Sequence, residues 1–184
     1  MKNTLAPLFL LTTALALAGC AAMSPQECRT ADWREQGTRD ALEGQARSHF
    51  DDIRQACAEA GIAPRQDLYF DGYARGLRQF CTPANGARWG RQGQSYDSTC
   101  PPELEPAFLA RYRDGRRAWD AEQALQRLQN EQRRKQRELD QTKDDGQRRR
   151  LRDDLTSLDW RLRSARDDLD RAEQRLRDTP GSFQ

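Results

Sequence analysis

The second half of the chain repeats apolar side chains at alternating spacings of three and four residues, the pattern of a helix with one buried seam. The first stripe comprises Ala118, Ala121, Leu125, Leu128, Gln132, Lys135 and Leu139. The second comprises Leu151, Leu155, Leu158, Leu162, Ala165, Leu169, Ala172 and Leu176. The pattern predicts two long amphipathic helices, the first with two polar interruptions of its seam.

These two stripes do not continue each other as one straight helix. The twelve residues from Leu139 to Leu151 turn the seam by about 120° around the helix axis. A chain reversal at residues 144–146, Asp-Asp-Gly, instead pairs Leu139 with Leu151 and Leu128 with Leu162. We therefore predict an antiparallel coiled-coil hairpin, and an intermolecular coil with a broken middle is the alternative.

Shorter helical patterns precede the hairpin and predict a small helical head. Capping residues, aromatic positions and glycines place its helices at about 32–44, 48–61 and 66–81. Four aromatic residues recur near glycines inside helical stretches: Trp33 with Gly37, Tyr69 with Gly72, Tyr73 with Gly76, and Tyr112 with Gly115. We interpret these glycines as close-packing positions at which a neighbouring ring covers the gap.

Residues 81–100 are predicted to form a long Gly-rich loop. Asn85-Gly86 is typical of a turn, and Gly90 and Gly93 permit backbone angles closed to other residues. Four side chains of the loop are candidates for an anion-binding or sugar-stacking surface: Arg88, Trp89, Arg91 and Tyr96. The alternative is that the two rings fill a small core while the arginines are solvated.

Trp160 is a second candidate binding residue. It lies between seam positions Leu158 and Leu162, at the outward position of the heptad, so the hairpin cannot bury it. Uncharged neighbours surround it, namely Thr156, Ser157 and Ser164. Exposed tryptophans in such patches are often hot spots of protein interfaces. The alternative is a ring that lies flat across arginine stems and binds nothing.

Composition narrows the class of protein. The 184 residues are one-third charged and carry a formal net charge of +2, so no polycationic domain for nucleic acid is present and no nucleic-acid partner is expected. The single histidine, His49, does not supply a multi-histidine metal site. We predict no catalytic residue, cofactor or metal, and therefore no enzyme.

The N-terminus reads as an export signal over residues 1–19, with Lys2 followed by an apolar run of about 13 residues, too short for a spanning helix of roughly 20. Its end, Leu17-Ala18-Gly19-Cys20, resembles the lipobox of bacterial lipoproteins. The resemblance implies that Cys20 becomes the first mature residue and carries acyl chains such as palmitate. In lipoproteins retained in the inner membrane an Asp follows this cysteine, whereas this chain has Ala21 and Ala22. The resemblance therefore implies the periplasmic face of the outer membrane. An ordinary secreted protein is the alternative.

Four cysteines remain when Cys20 is set aside, and none lies in the last 84 residues. An even number in an oxidising compartment predicts two disulfides. Of the three pairings, we prefer Cys28 with Cys57 and Cys81 with Cys100, because the second pair then closes the Gly-rich loop.

A family resemblance is carried by motifs that span about residues 20–140. They are Cys28 with Trp33, Cys57-Ala-Glu-Ala-Gly61, Tyr69-x-x-Gly72, Gly76-Leu77, Cys81-Thr-Pro83, Asn85-Gly86, Gly90-Arg91, Tyr96, Cys100-Pro101 and Phe108-x-x-x-Tyr112-x-x-Gly115. The chain resembles the bacterial envelope lipoproteins catalogued as domain of unknown function 2799. It departs from them at Arg65, where the family tends to carry Asp. The resemblance implies an envelope lipoprotein with a helical tail and no assigned activity.

The sequence thus predicts an all-α protein with five segments: a signal peptide (1–19), a lipidated linker (20–27), a disulfide-containing head (28–117), a coiled-coil hairpin (118–178) and a flexible tail (179–184). We expect a scaffold or protein-interaction module of the cell envelope, held to the membrane by its lipid. Its expected partners are an envelope protein, peptidoglycan, or a second copy through the coiled coil. A peptidoglycan- or glycan-binding module that uses the Gly-rich loop is the alternative function, and an envelope enzyme is less favoured.

Overall fold

The computed structural model describes residues 23–178 and folds them into seven α-helices, with the longest connection, residues 92–104, between α5 and α6. The helices are α1 (Pro25–Thr30), α2 (Trp33–Leu42), α3 (His49–Glu59), α4 (Gln66–Phe80), α5 (Pro83–Arg91), α6 (Glu105–Gln141) and α7 (Asp145–Asp178). The all-α class is confirmed. The predicted signal peptide, Cys20 and the tail 179–184 lie outside the described residues.

Local capping explains where the first helices begin. The Ser24 hydroxyl accepts the Glu27 N–H, and the Glu27 carboxylate accepts the Ser24 N–H at 2.7 Å, which is a complete capping box. Helix α1 thus begins inside the segment 20–27 that the sequence predicts as a linker. The Asp32 carboxylate caps α2 as predicted, through the N–H groups of Arg34 and Glu35.

The helices α2 and α4 cross with their backbones in direct contact. A Cβ added to Gly37 would lie 2.0 Å from the carbonyl oxygen of Tyr69, and one added to Gly72 would lie 1.9 Å from that of Arg34. Each helix therefore contributes one glycine that rests on a carbonyl of the other. The predicted packing role of these glycines is confirmed, but the space is filled by backbone rather than by a neighbouring ring.

The helices α5 and α6 repeat this reciprocal crossing. A Cβ at Gly90 would lie 2.1 Å from the carbonyl oxygen of Tyr112, and one at Gly115 would lie 2.2 Å from that of Ala87. The two crossings use the same spacing. On α2 and on α5, the contacted carbonyl belongs to the residue three positions before the glycine of the same helix: Arg34 before Gly37, and Ala87 before Gly90. On α4 and on α6, the carbonyl belongs to the tyrosine three positions before the glycine.

Two disulfides complete the correspondence between the two crossings. Cys28 is bonded to Cys57 and Cys81 to Cys100, as preferred from the sequence. In each unit a glycine follows the first cysteine by nine positions, and a tyrosine follows the second by twelve. These residues are Cys28, Gly37, Cys57 and Tyr69 in the first unit and Cys81, Gly90, Cys100 and Tyr112 in the second. The head is thus built from two copies of one disulfide-stapled helix pair, of which the first has α3 inserted.

The predicted Gly-rich loop over 81–100 is wrong in its first half, which forms α5. The Thr82 hydroxyl accepts the Asn85 N–H, and Pro83 occupies the first turn. Asn85 is buried inside the helix and donates its amide to the carbonyl of Phe80 at 2.8 Å. Helical glycines each cost about 1 kcal/mol relative to alanine, and the contact of Gly86 and Gly90 with α6 offsets this cost.

Aromatic rings join the two units into one core. The Phe80 ring at the end of α4 lies 5.3 Å from the ring of Phe108 on α6 and 5.1 Å from that of Trp89 on α5. Tyr69, Phe80 and Phe108 are fully or almost fully buried. Helices α5 and α6 therefore pack on the end of α4 through one shared aromatic cluster.

The antiparallel hairpin of α6 and α7 is confirmed. Gln132 Nε2 donates to Asp159 Oδ1 at 2.7 Å, and Lys135 Nζ lies 2.6 Å from Asp154 Oδ2. Both contacts fall within one residue of the register that pairs Leu128 with Leu162. The buried seam of α7 comprises Leu151, Leu158, Leu162, Ala165 and Ala172.

The turn of the hairpin lies at 142–144 and not at the predicted 144–146. The Asp144 carboxylate accepts the Gln147 N–H at 2.7 Å and so caps α7. Asp145 and Gly146 consequently belong to the first turn of that helix.

The head and the hairpin share one continuous helix. The predicted boundary between residues 117 and 118 falls inside α6, whose first part packs on α5 and whose second part packs on α7. We call the paired segments 123–141 and 145–172 the arm. At 1.5 Å per residue, the arm reaches about 30 Å beyond Glu122, the last α6 residue bonded to the head.

Candidate functional site

The four candidates of residues 81–100 are not brought together as one exposed surface. Trp89, Arg91 and Tyr96 are half-buried, and only Arg88 is exposed. Arg88 donates to the side-chain oxygen of Asn85, one turn earlier on the same helix. The segment therefore offers little free ring surface for a sugar, and glycan binding by it stays a prediction.

Both aromatic candidates are held by the core. Trp89 Nε1 donates to the carbonyl of Ser95 at 2.7 Å. The Tyr96 hydroxyl donates to Glu105 Oε1 at 3.0 Å and accepts the Cys100 N–H at 3.0 Å, while its ring lies 4.8 Å from that of Phe108. Burial raises the pKa of Tyr96 to about 12. These contacts match the alternative in which the two rings fill the core.

Arg91 joins α5 of the head to both helices at the base of the arm. Its guanidinium donates to Glu122 on α6 at 2.6 Å and to Glu173 on α7 at 2.8 Å. Arg111, which is only 5% exposed, donates to the carbonyl of Leu176 at 2.6 Å and pairs with Asp114. The two arginines fix the end of α7 against α6 by charge-assisted hydrogen bonds.

Trp160 is placed as the heptad predicted. Its side chain is 67% exposed, and among residues 23–178 the other large apolar side chain left exposed is Leu42, at 42%. The Arg163 guanidinium lies 4.0 Å from the centre of the Trp160 ring. One face of the indole is thus covered by a cation, and its remaining surface is open to a partner.

A polar cavity of about 490 Å³ lies between α1 and α2. Acidic residues dominate its lining, namely Glu27, Asp32, Glu35, Asp40 and Glu43, with His49 and Arg39 beside them. Asp40 is buried at its base and accepts hydrogen bonds from the Tyr69 hydroxyl at 2.6 Å and from Gln36 at 2.8 Å. Burial and the bond to Asp40 raise the pKa of Tyr69. The buried acid is therefore fully used within the fold.

Within residues 23–178, no group of three or more His, Cys, Asp or Glu side chains is arranged to hold a metal ion. Nor does that part of the chain contain a helix both long and apolar enough to cross a membrane. The lipidation candidate Cys20 lies outside the described residues.

Two features of the head were missed from the sequence although signals for them exist. Two local patterns indicate helix α5: an N-cap residue followed by proline at Thr82-Pro83, and glycines four positions apart at 86 and 90. The duplication is announced by the matching intervals from cysteine to glycine and from cysteine to tyrosine. The partners of Arg91 had no local signal, because Glu173 lies 82 positions away.

The model of the family described as Protein of unknown function (DUF2799) matches residues 32–117. No curated protein and no solved structure matches the chain. The matched region runs from the cap of α2 to just past the second glycine crossing and includes three of the four disulfide cysteines. The resemblance inferred from the motifs is confirmed over residues 32–117 as a match to this family of unknown function, while the lipoprotein part of that resemblance stays a prediction.

Proposed function

We propose that this protein is a scaffold of the cell envelope, anchored to the outer membrane through Cys20 and presenting its arm to a protein partner in the periplasm. The observation that carries the proposal is the exposed Trp160 on a rigid arm that is continuous with a stapled head. A scaffold needs a fixed distance and direction between its attachment and its binding surface. Continuous α6 and the ion pairs of Arg91 supply both.

The head supports this role by resisting deformation. Its two helix pairs are closed by disulfides and by glycine crossings that leave no space between backbones. Disulfides of this span contribute about 3 kcal/mol each in the chain-entropy model. A head of this size has a thin hydrophobic core, so these constraints matter more than they would in a larger domain.

The binding surface is tested by Trp160→Ala, with Leu42→Ala on the head as the matched loss of an exposed apolar side chain. Each variant is expressed as the full chain, and crosslinked partners in intact envelopes are identified by mass spectrometry. We expect Trp160→Ala to lose crosslinks that the parent and Leu42→Ala retain, with all three giving the same helical circular dichroism. A Trp160→Ala pattern identical to the parent contradicts this binding surface.

The anchor is tested separately by Cys20→Ser. We expect the variant to lose acylation and to fail to sediment with the outer membrane after a high-salt wash. Acylated protein in the variant, or unchanged processing and sedimentation, contradicts the lipid anchor without bearing on Trp160.

A further inference from the structure

Charge is unevenly distributed along the arm. Between Arg127 and Arg152, on both sides of the turn, ten arginines and lysines stand against five acids. The remaining described residues contain twenty basic and twenty-four acidic side chains. The far end of the arm therefore carries five net positive charges, while the rest of the described chain is net negative.

Most of these cations are not used by the fold. Lys135 pairs with Asp154, and Arg148 donates to the carbonyls of Leu139 and Thr142. Seven others are exposed and, within the described part of the chain, form no side-chain hydrogen bond or ion pair. We call this set the basic tip: Arg127, Arg134, Arg137, Lys143, Arg149, Arg150 and Arg152.

The basic tip spreads around the end of the arm. On α6, Arg127 and Arg134 lie about 100°, and Arg137 about 160°, around the axis from the nearest seam residues. The same rotation places Arg149 on the outer face of α7, about 160° from Leu151, and Arg152 on the flank of the seam, about 60° from Leu155, where it is exposed. All seven fall within about 20 Å of the turn. Cations thus point outward from both helices at the end of the arm.

Arginine predominates in this set, and its planar guanidinium binds phosphate through two parallel hydrogen bonds. Exposed apolar side chains are absent among the described residues between Arg127 and Arg152, so the surface attracts charge and does not insert into hydrocarbon. Clusters of four to eight basic residues are typical of proteins that bind anionic lipid headgroups.

We propose that the basic tip binds the phosphate groups of an anionic lipid surface other than the one that holds the head. The proposal rests on the proposed function for the attachment of the head. The basic tip extends from about 8 Å to about 30 Å beyond Glu122 along the arm, and at physiological ionic strength a charged surface is screened beyond about 8 Å. The basic tip therefore attracts an anionic surface only at close range, and the length of the arm sets the distance between that surface and the head.

The test uses the full chain purified from membranes and two populations of vesicles. The protein is first mixed with phosphatidylcholine vesicles, and flotation reports its attachment through the N-terminus. Fluorescent vesicles containing one-third phosphatidylglycerol are then added, and their capture is measured. The tip variant carries Arg134→Gln, Arg137→Gln, Arg149→Gln and Arg152→Gln. The control variant carries the same loss of charge at exposed, unpaired arginines elsewhere: Arg29→Gln, Arg78→Gln, Arg113→Gln and Arg166→Gln.

We expect the parent and the control variant to capture the anionic vesicles and the tip variant to lose capture, by roughly fivefold for each arginine removed. Capture should also fail in 1 M salt and with acceptor vesicles of phosphatidylcholine alone. Equal capture by the tip variant overturns the proposal, as does equal capture of neutral vesicles. Loss of self-association in sedimentation, with vesicle capture unchanged, assigns the tip to a second copy and overturns it too.

The experiment can refute the proposed anchor and the proposed role of the basic tip separately. If the protein does not float with phosphatidylcholine vesicles, the proposed anchor is wrong. Direct flotation with phosphatidylglycerol vesicles then still reports the tip, and the comparison between the tip variant and the control variant keeps its meaning.

Discussion

Replacing Gly72 with alanine tests whether α2 and α4 pack through direct backbone contact. The added Cβ would lie 1.9 Å from the carbonyl oxygen of Arg34 and 2.7 Å from its carbonyl carbon. A carbon and a carbonyl oxygen normally approach to about 3.3 Å. The two helices must therefore separate locally by about 1 Å or more, because neither atom belongs to a flexible side chain.

The size of the effect follows from two opposing terms. Overpacking a well-filled contact costs about 1–3 kcal/mol and occasionally more, and a gap of 1 Å forfeits up to about half of the dispersion energy at the contact. Alanine in a helix interior returns about 1 kcal/mol relative to glycine. We expect the upper part of the first range and a net loss of about 2 kcal/mol, which lowers Tm by roughly 4–8 °C in a chain of this length.

Gly146→Ala is the matched control, because this glycine also lies in a helix but meets only the carboxylate of Asp144, at 3.2 Å. We expect it to leave the free energy of unfolding unchanged or to raise it by up to about 1 kcal/mol. Thermal and urea unfolding are followed by circular dichroism with the disulfides intact. If Gly72→Ala melts at the same temperature as Gly146→Ala, the backbone contact does not exist and the reasoning on all the crossings is refuted.

Three further predictions concern the contacts around this frame. Arg91→Ala should lower the free energy of unfolding by about 1–2 kcal/mol and speed deuterium exchange at the end of α7, because both ion pairs are lost. If exchange at the end of α7 is as slow in the variant as in the parent protein, the ion pairs do not hold that helix. Replacing Cys81 and Cys100 with serine should cost about 3 kcal/mol, and peptide mapping without reductant should recover this pair in the parent. Burial raises the pKa of Tyr73 to about 12; since the ordinary value is about 10, the folded state holds this proton more tightly. Stability should therefore fall as pH rises from about 10 to about 12, and Tyr73→Phe should reduce that loss in urea unfolding at each pH.

The hairpin was predictable because its signal is periodic and local. Each seam residue of α7 lies three or four positions from the next, so the face that is buried follows from the sequence alone. The register followed from the position of the turn, which was placed two residues late. The pattern predicts Asp145 and Gly146 as turn residues, whereas the Asp144 carboxylate caps α7 and so places both in its first helical turn. The choice between turn and cap depends on one hydrogen bond, which composition does not reveal.

The helix α5 was not predicted because its local and tertiary energies conflict. Asn85-Gly86 favours a turn when the segment is considered alone, and Gly90 adds to that preference. The contact of both glycines with α6 reverses the balance, and this contact involves Phe108 and Tyr112, which lie about twenty residues further on. The same difficulty applies to the candidate surface around Arg91, whose exposure depends on carboxylates contributed by two other helices.

The second glycine crossing determines where the end of the arm lies. Gly115 holds α6 against α5, and the helix continues from that point to Gln141 without a break. The end of α6 therefore stands about 39 Å from the crossing. A rotation of only 5° at the crossing would move the end of α6 by about 3 Å. The first crossing has no such lever, since α4 ends at Phe80 within the core. The two crossings share one geometry but differ in this respect: the first fixes the head, and the second aims the arm.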